Sequence, residues 1–76
     1  MPRLSRVSQA EVKRAFEKAG FVLVRTKGSH HVLAKEGHQL LLCVPVHPGK
    51  TMGPGLLKDL INDAGLTVEE FIKLLK

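Results

Sequence analysis

The sequence predicts an α+β fold: a three-stranded antiparallel meander with helices on one face, in the order α-β-β-β-α followed by a short C-terminal helix. Three observations predict it. Two capping boxes, Ser8-Gln9-Ala10-Glu11 and Thr67-Val68-Glu69-Glu70, each open an apolar stripe at helical spacing. Runs of β-branched and apolar residues lie between them, separated by the glycine-containing pairs Gly28-Ser29 and Glu36-Gly37. A proline at position 54 opens a further periodic segment, where its missing N–H is harmless.

In the first helix, Ser8 is placed to accept from the backbone of Glu11, and Glu11 to reach back. Val12, Ala15, Phe16 and Ala19 follow at i, i+3, i+4, i+7, and Gly20 is the expected left-handed stop, so helix 1 covers about Gln9 to Ala19. Phe21 to Thr26 reads as strand 1. Gly28-Ser29 suits a two-residue hairpin turn with glycine first. His31 to Ala34 is strand 2, Glu36-Gly37 a second tight turn, and Gln39 to Val44 strand 3, ended by Pro45. Val46 to Gly53 is a loop rich in Pro and Gly. Helix 2 starts near Pro54, carries Leu56, Leu57, Leu60, Ile61 and Ala64, and stops at Gly65. Helix 3 carries Val68, Phe71, Ile72 and Leu75. The order resembles that of a double-stranded RNA-binding domain.

The 76 residues suit a single small domain, 1–76, with a thin core that often gains stability from a partner. The formal charge of +5 suits an anionic partner such as nucleic acid, an acidic protein or a membrane surface, or simply a solvated basic surface. Cys43 stands alone, so no intrachain disulfide forms. Its place in strand 3 suggests a half-buried structural thiol. No apolar run approaches the ~18 residues of a membrane helix, and Met1 to Val7 is too short and polar for a signal peptide. A reducing cytoplasm is the expected location.

Turn geometry separates the adjacent histidines. A two-residue loop at Gly28-Ser29 pairs Lys27 with His30 and sets Arg25 opposite Val32 on the same side. The second turn would pair Leu33 with Leu40 and His31 with Leu42. One face then gathers Val22, Val24, Leu33, Leu40, Leu42 and Val44 for the helices, and His31 joins it as a satisfied structural imidazole. The opposite face gathers Arg25, Lys27 and His30, with Gln39 and Cys43 nearby. His30 is therefore the candidate for proton transfer.

Other chemistries fit less well. His30, His31, His38 and His47 lack compact zinc spacing, and neighbouring histidines on a strand point to opposite faces, so no metal site is expected. Gly49-Lys50-Thr51 looks like the end of a phosphate loop, but Val44 stands where that motif needs its first glycine. His47, Lys50 and the backbone N–H groups near Gly53 and Gly55 remain a candidate phosphate site at the start of helix 2, or simply a polar loop. No Ser-His-Asp set can be placed. Phe16 and Phe71 lie on core stripes and Phe21 could face either way, so stacking platforms for bases are missing.

The chain resembles the HicA toxin family, small bacterial and archaeal mRNA interferases paired with HicB antitoxins. The carrying residues are Lys27-Gly28-Ser29-His30-His31, similar to the family's G-S-H signature, and Val44-Pro45-Val46-His47-Pro48-Gly49, similar to its V-P-x-H-x-G segment. Leu57 to Gly65 and Glu70-Phe71 follow in order. The similarity runs from about Ser8 to Leu74. It implies a type II toxin that cleaves mRNA without the ribosome, with His30 as its catalytic histidine and no cofactor. Arg25, Lys27, Ser29, His47 and Lys50 are the residues expected to bind RNA, and a HicB-type antitoxin the expected protein partner in a hetero-oligomer, away from membranes. Many members carry an aromatic residue where Leu33 stands, a position expected to face the core. A non-catalytic RNA-binding module, or a protein-binding subunit using Val32, Leu41 and Cys43, are the rival readings.

Overall fold

The computed structural model describes residues 7–75. Up to Arg6, the segment weighed above as a signal peptide lies outside the described residues. The elements are β1 (Val7–Ser8), α1 (Gln9–Lys18), β2 (Val22–Lys27), β3 (His30–Ala34), β4 (Leu42–Pro45), β5 (Thr51–Met52), α2 (Pro54–Asp63) and α3 (Val68–Leu74). β2, β3 and β4 form an antiparallel sheet in that order, and the fold is of the α+β, double-stranded-RNA-binding-domain-like kind. No helix among the described residues is long and apolar enough to cross a membrane.

Both capping boxes form. Ser8 Oγ accepts from the Glu11 N–H, and the Ser8 N–H donates to the Glu11 carboxylate; Thr67 and Glu70 do the same. The backbone N–H of Ser8 or Thr67, with that residue's hydroxyl second, holds the carboxyl of Glu11 or Glu70 below the ordinary glutamate range. At the other end of α1, the Gly20 N–H bonds Glu17 and the Phe21 N–H bonds Phe16, the paired bonds of a Schellman stop. That stop folds Phe21 back onto Phe16, edge to face at 6.1 Å between ring centroids, and answers which way Phe21 faces: it is core. Phe16, Phe71, Leu33, Leu42, Leu57 and Val44 fill the space between sheet and helices. Leu33 is fully buried, as its place on the packed face requires.

Four expectations give way. Strand 3 does not begin at Gln39. The turn at Glu36-Gly37 is part of a longer connection, residues 35–41, in which the His38 N–H donates to the Lys35 carbonyl and its Nε2–H to the carbonyl of Asp63, at 2.6 Å. Leu40 and Leu41 are therefore exposed loop residues, and Leu33 pairs with Leu42, His31 with Val44. The slip is of two residues, so each side chain keeps its face. Second, Val22 and Val24 are 62% and 57% exposed rather than core. A bulge between Leu23 and Arg25 adds a residue to β2, sets Leu23 opposite Leu33 and turns Val22 to the other side. β2 is also an edge strand, and the helices pack over β4 instead. Third, the 46–53 segment is not all loop: Thr51–Met52 pairs with Val7–Ser8 in a second, two-stranded sheet. Fourth, Leu56 leaves the α2 stripe and is exposed.

Candidate active site on the open sheet face

The Gly28-Ser29 turn builds the site. Gly28 has φ 59°, so glycine leads a two-residue loop, and Lys27 pairs directly with His30 as expected. Arg25 stands opposite Val32, and Val32 opposite Cys43. Arg25, Lys27, His30, Val32 and Cys43 thus share the face opposite the buried Leu33, Leu42 and Val44. Arg25, Lys27 and His30 are exposed.

Cys43 is not the half-buried thiol expected. It is exposed, because it stands on the uncovered side of β4 between two fully buried neighbours. Its Sγ lies 3.7 Å from His30 Nδ1. That contact leaves Nε2 as the ring nitrogen His30 can offer to a substrate. His31 lies on the packed face as expected, opposite Thr26 and Val44, and is half-buried. It is not satisfied, however: its Nδ1 is buried without a hydrogen-bond partner.

A second turn brings His47 to the same place. The Val46 N–H donates to the Ser29 carbonyl at 2.7 Å, continuing the β3–β4 ladder past its end. The His47 carbonyl then accepts from the Lys50 N–H across Pro48 and Gly49. Proline second and glycine third, with φ 72° at Gly49, is the combination of a type II turn. His47 Nε2 comes to 3.2 Å from Ser29 Oγ, within hydrogen-bonding distance.

Of the residues singled out in the sequence, the structure pairs Lys27 with His30 and sets His47 against Ser29, the residue before His30, with Arg25 two positions along the face of Lys27. The Lys50 side chain is exposed, and what ties Lys50 to the site is its backbone, whose carbonyl accepts from the Gln9 N–H. One contact had no sequence signal. Gln9 reads only as the first helical residue of a capping box, and nothing local links it to a loop 38 positions on, yet its Oε1 accepts from the His47 N–H. The Cys43–His30 contact, by contrast, joins two residues that the sequence already placed on one face. Among the described residues, no three His, Cys, Asp or Glu side chains converge as a metal-binding group would require.

No curated protein matches the chain. A family model described as the HicA toxin of bacterial toxin-antitoxin matches residues 10–66, about three-quarters of the chain, and so takes in the whole meander, both turns and α2. The chain belongs to the HicA toxin family of bacterial toxin–antitoxin systems.

Proposed function

We propose that the protein is an endoribonuclease that cleaves mRNA in the cytoplasm, with His30 as its general acid–base, and that a HicB-type antitoxin silences it. The observation that supports this reading is the placement of His30. It is exposed, paired across the ladder with Lys27, and held at Nδ1 by Cys43.

RNA carries its own nucleophile, the 2′-OH. His30 Nε2 takes the 2′-OH proton, and the 2′ oxygen bonds to phosphorus. The bond from phosphorus to the 5′ oxygen breaks, and that oxygen takes a proton from an acid. The products are a 2′,3′-cyclic phosphate and a 5′-OH, which balances atoms and protons; water then opens the ring. Lys27 and Arg25 stabilise the charge that builds on the phosphoryl oxygens. One positioned histidine supplies roughly 10²–10⁴-fold. An internal nucleophile has no need of a metal-activated water.

The test is to incubate purified protein with mRNA in excess EDTA and identify the new ends. Cleavage is expected to persist and to leave 2′,3′-cyclic phosphate or its hydrolysis product. EDTA-sensitive cleavage leaving 3′-OH ends would overturn the mechanism, and binding without cleavage would return the non-catalytic RNA-binding reading.

A further inference from the structure

We propose that Gln9 is a positioning residue of this site, holding His47 against Ser29 so that His47 protonates the 5′ leaving oxygen. The inference rests on the nuclease reading and supplies the acid that reading leaves unnamed.

His47 is fixed at four points. Before it, the Val46 N–H is bonded to the Ser29 carbonyl. After it, the type II turn closes from the Lys50 N–H to its own carbonyl. Its ring reaches Ser29 Oγ. Its own N–H, which the turn leaves unbonded, is taken by Gln9 Oε1 at 2.7 Å.

Gln9 closes on both ends of the turn. Its backbone N–H, one of the donors an α-helix leaves unpaired in its first turn, reaches the Lys50 carbonyl at 2.9 Å, and its side-chain Nε2–H donates to the Thr51 carbonyl at 3.4 Å. The backbone bond continues the β1–β5 ladder, in which Val7 and Met52 are buried, but the two side-chain bonds of Gln9 are not part of that ladder. Gln9 is only half-buried, and His47, Lys50 and Thr51 are exposed. Exposed hydrogen bonds add little to global stability, but an exposed Pro-Gly turn without them would be free to move. What the clamp determines is where His47 stands relative to the residue next to His30.

The chemistry needs a second proton carrier. His30 gains the 2′-OH proton, so the departing 5′ oxygen must take a proton from another group for the step to balance. His47 is the histidine the fold delivers to Ser29, and its Nε2 is the atom delivered. A small misplacement of such a group costs about 10²-fold.

The test compares Gln9→Met with Gln9→Glu. Methionine keeps the length and helical preference but offers no strong acceptor to the His47 N–H; glutamate keeps the acceptor. In single-turnover cleavage, Gln9→Met is expected to lower kcat about 10- to 100-fold with KM little changed, and to remove the limb of the bell-shaped pH profile due to the acid. Gln9→Glu is expected to recover most of the rate. Because Gln9 acts through His47, Gln9→Met should cost nothing further in a His47→Ala background. Protection of the His47 amide from hydrogen exchange, read by NMR, should fall in Gln9→Met at an unchanged melting temperature. An active parent whose Gln9→Met variant keeps its rate and pH profile would overturn the role of Gln9 alone. A parent that cleaves no RNA would overturn the nuclease reading itself.

Discussion

Replacing His30 with alanine should separate activity from stability. The imidazole is exposed, and its partner is the equally exposed thiol of Cys43. Substitutions at such positions usually change stability by within about 0.5 kcal/mol. Leu33, three positions along the same strand, is 0% exposed, and Leu33→Ala should cost about 2–5 kcal/mol through lost burial and the cavity left behind. In a domain of this size 1 kcal/mol moves Tm by roughly 4–8 °C. His30→Ala should therefore shift Tm by less than about 4 °C, and Leu33→Ala by about 10 °C or more. Cleavage should fall by about 10²–10⁴-fold in His30→Ala, with RNA affinity nearly unchanged. The assay is single-turnover cleavage of an mRNA fragment alongside thermal melting followed by circular dichroism. Cleavage at the parental rate would remove His30 from the mechanism. Lost cleavage together with a Tm drop as large as that of Leu33→Ala would make His30 a structural residue.

The open face should serve two partners. Lys27→Glu is expected to weaken both RNA and antitoxin binding, and to lower the salt dependence of RNA binding by about one phosphate contact; a titration showing antitoxin affinity fully retained would mean inhibition works from another surface. The two capping glutamates set an acid limb of stability. Their folded pKa values lie below the unfolded ones, so each contributes fully above the unfolded glutamate range, about 4.3, and the contribution is lost as pH falls through the lowered folded values. Melting temperatures measured downward from about pH 6 should fall most steeply there, and the fall should flatten in a Ser8→Ala, Thr67→Ala double variant; an identical pH profile in that variant would show that the caps do not carry it.

Local chemistry made the elements and one side of the site readable in the sequence. The capping boxes, Gly20, Gly65, Pro54 and the Gly28-Ser29 turn each act within a few residues, and each appears where expected. The face of His30 followed from the turn alone, because a two-residue loop fixes the pairing of its flanks. Non-local choices were not readable. Whether Glu36-Gly37 closes a tight turn depends on His38, whose bond to the Asp63 carbonyl draws the connection toward the end of α2. The bulge in β2 has no local marker: Val22, Leu23 and Val24 are all good strand residues, and only pairing with β3 shows which is extra. The pairing of β1 with β5 spans the whole meander, so neither dipeptide reads as a strand by itself.

The same strands carry core and site in strict alternation, and this ties the chemistry to the packing. Leu33 is buried on β3 while His30 and Val32 face out; Leu42 and Val44 are buried on β4 while Cys43 faces out. A one-residue slip of either strand would bury the site and expose the core, so burial of Leu33, Leu42 and Val44 holds His30 and Cys43 in register. β2 has no such anchor, since all six of its residues are exposed. Its alignment near the site comes from the Gly28-Ser29 turn, which pairs Lys27 with His30 whatever happens further back. The bulge lies beyond Arg25 from the turn, so the irregularity changes the faces of Val22 and Leu23 and leaves Arg25 and Lys27 beside His30. The cations therefore owe their position to one tight turn, and the histidine to a core it does not touch from its own face.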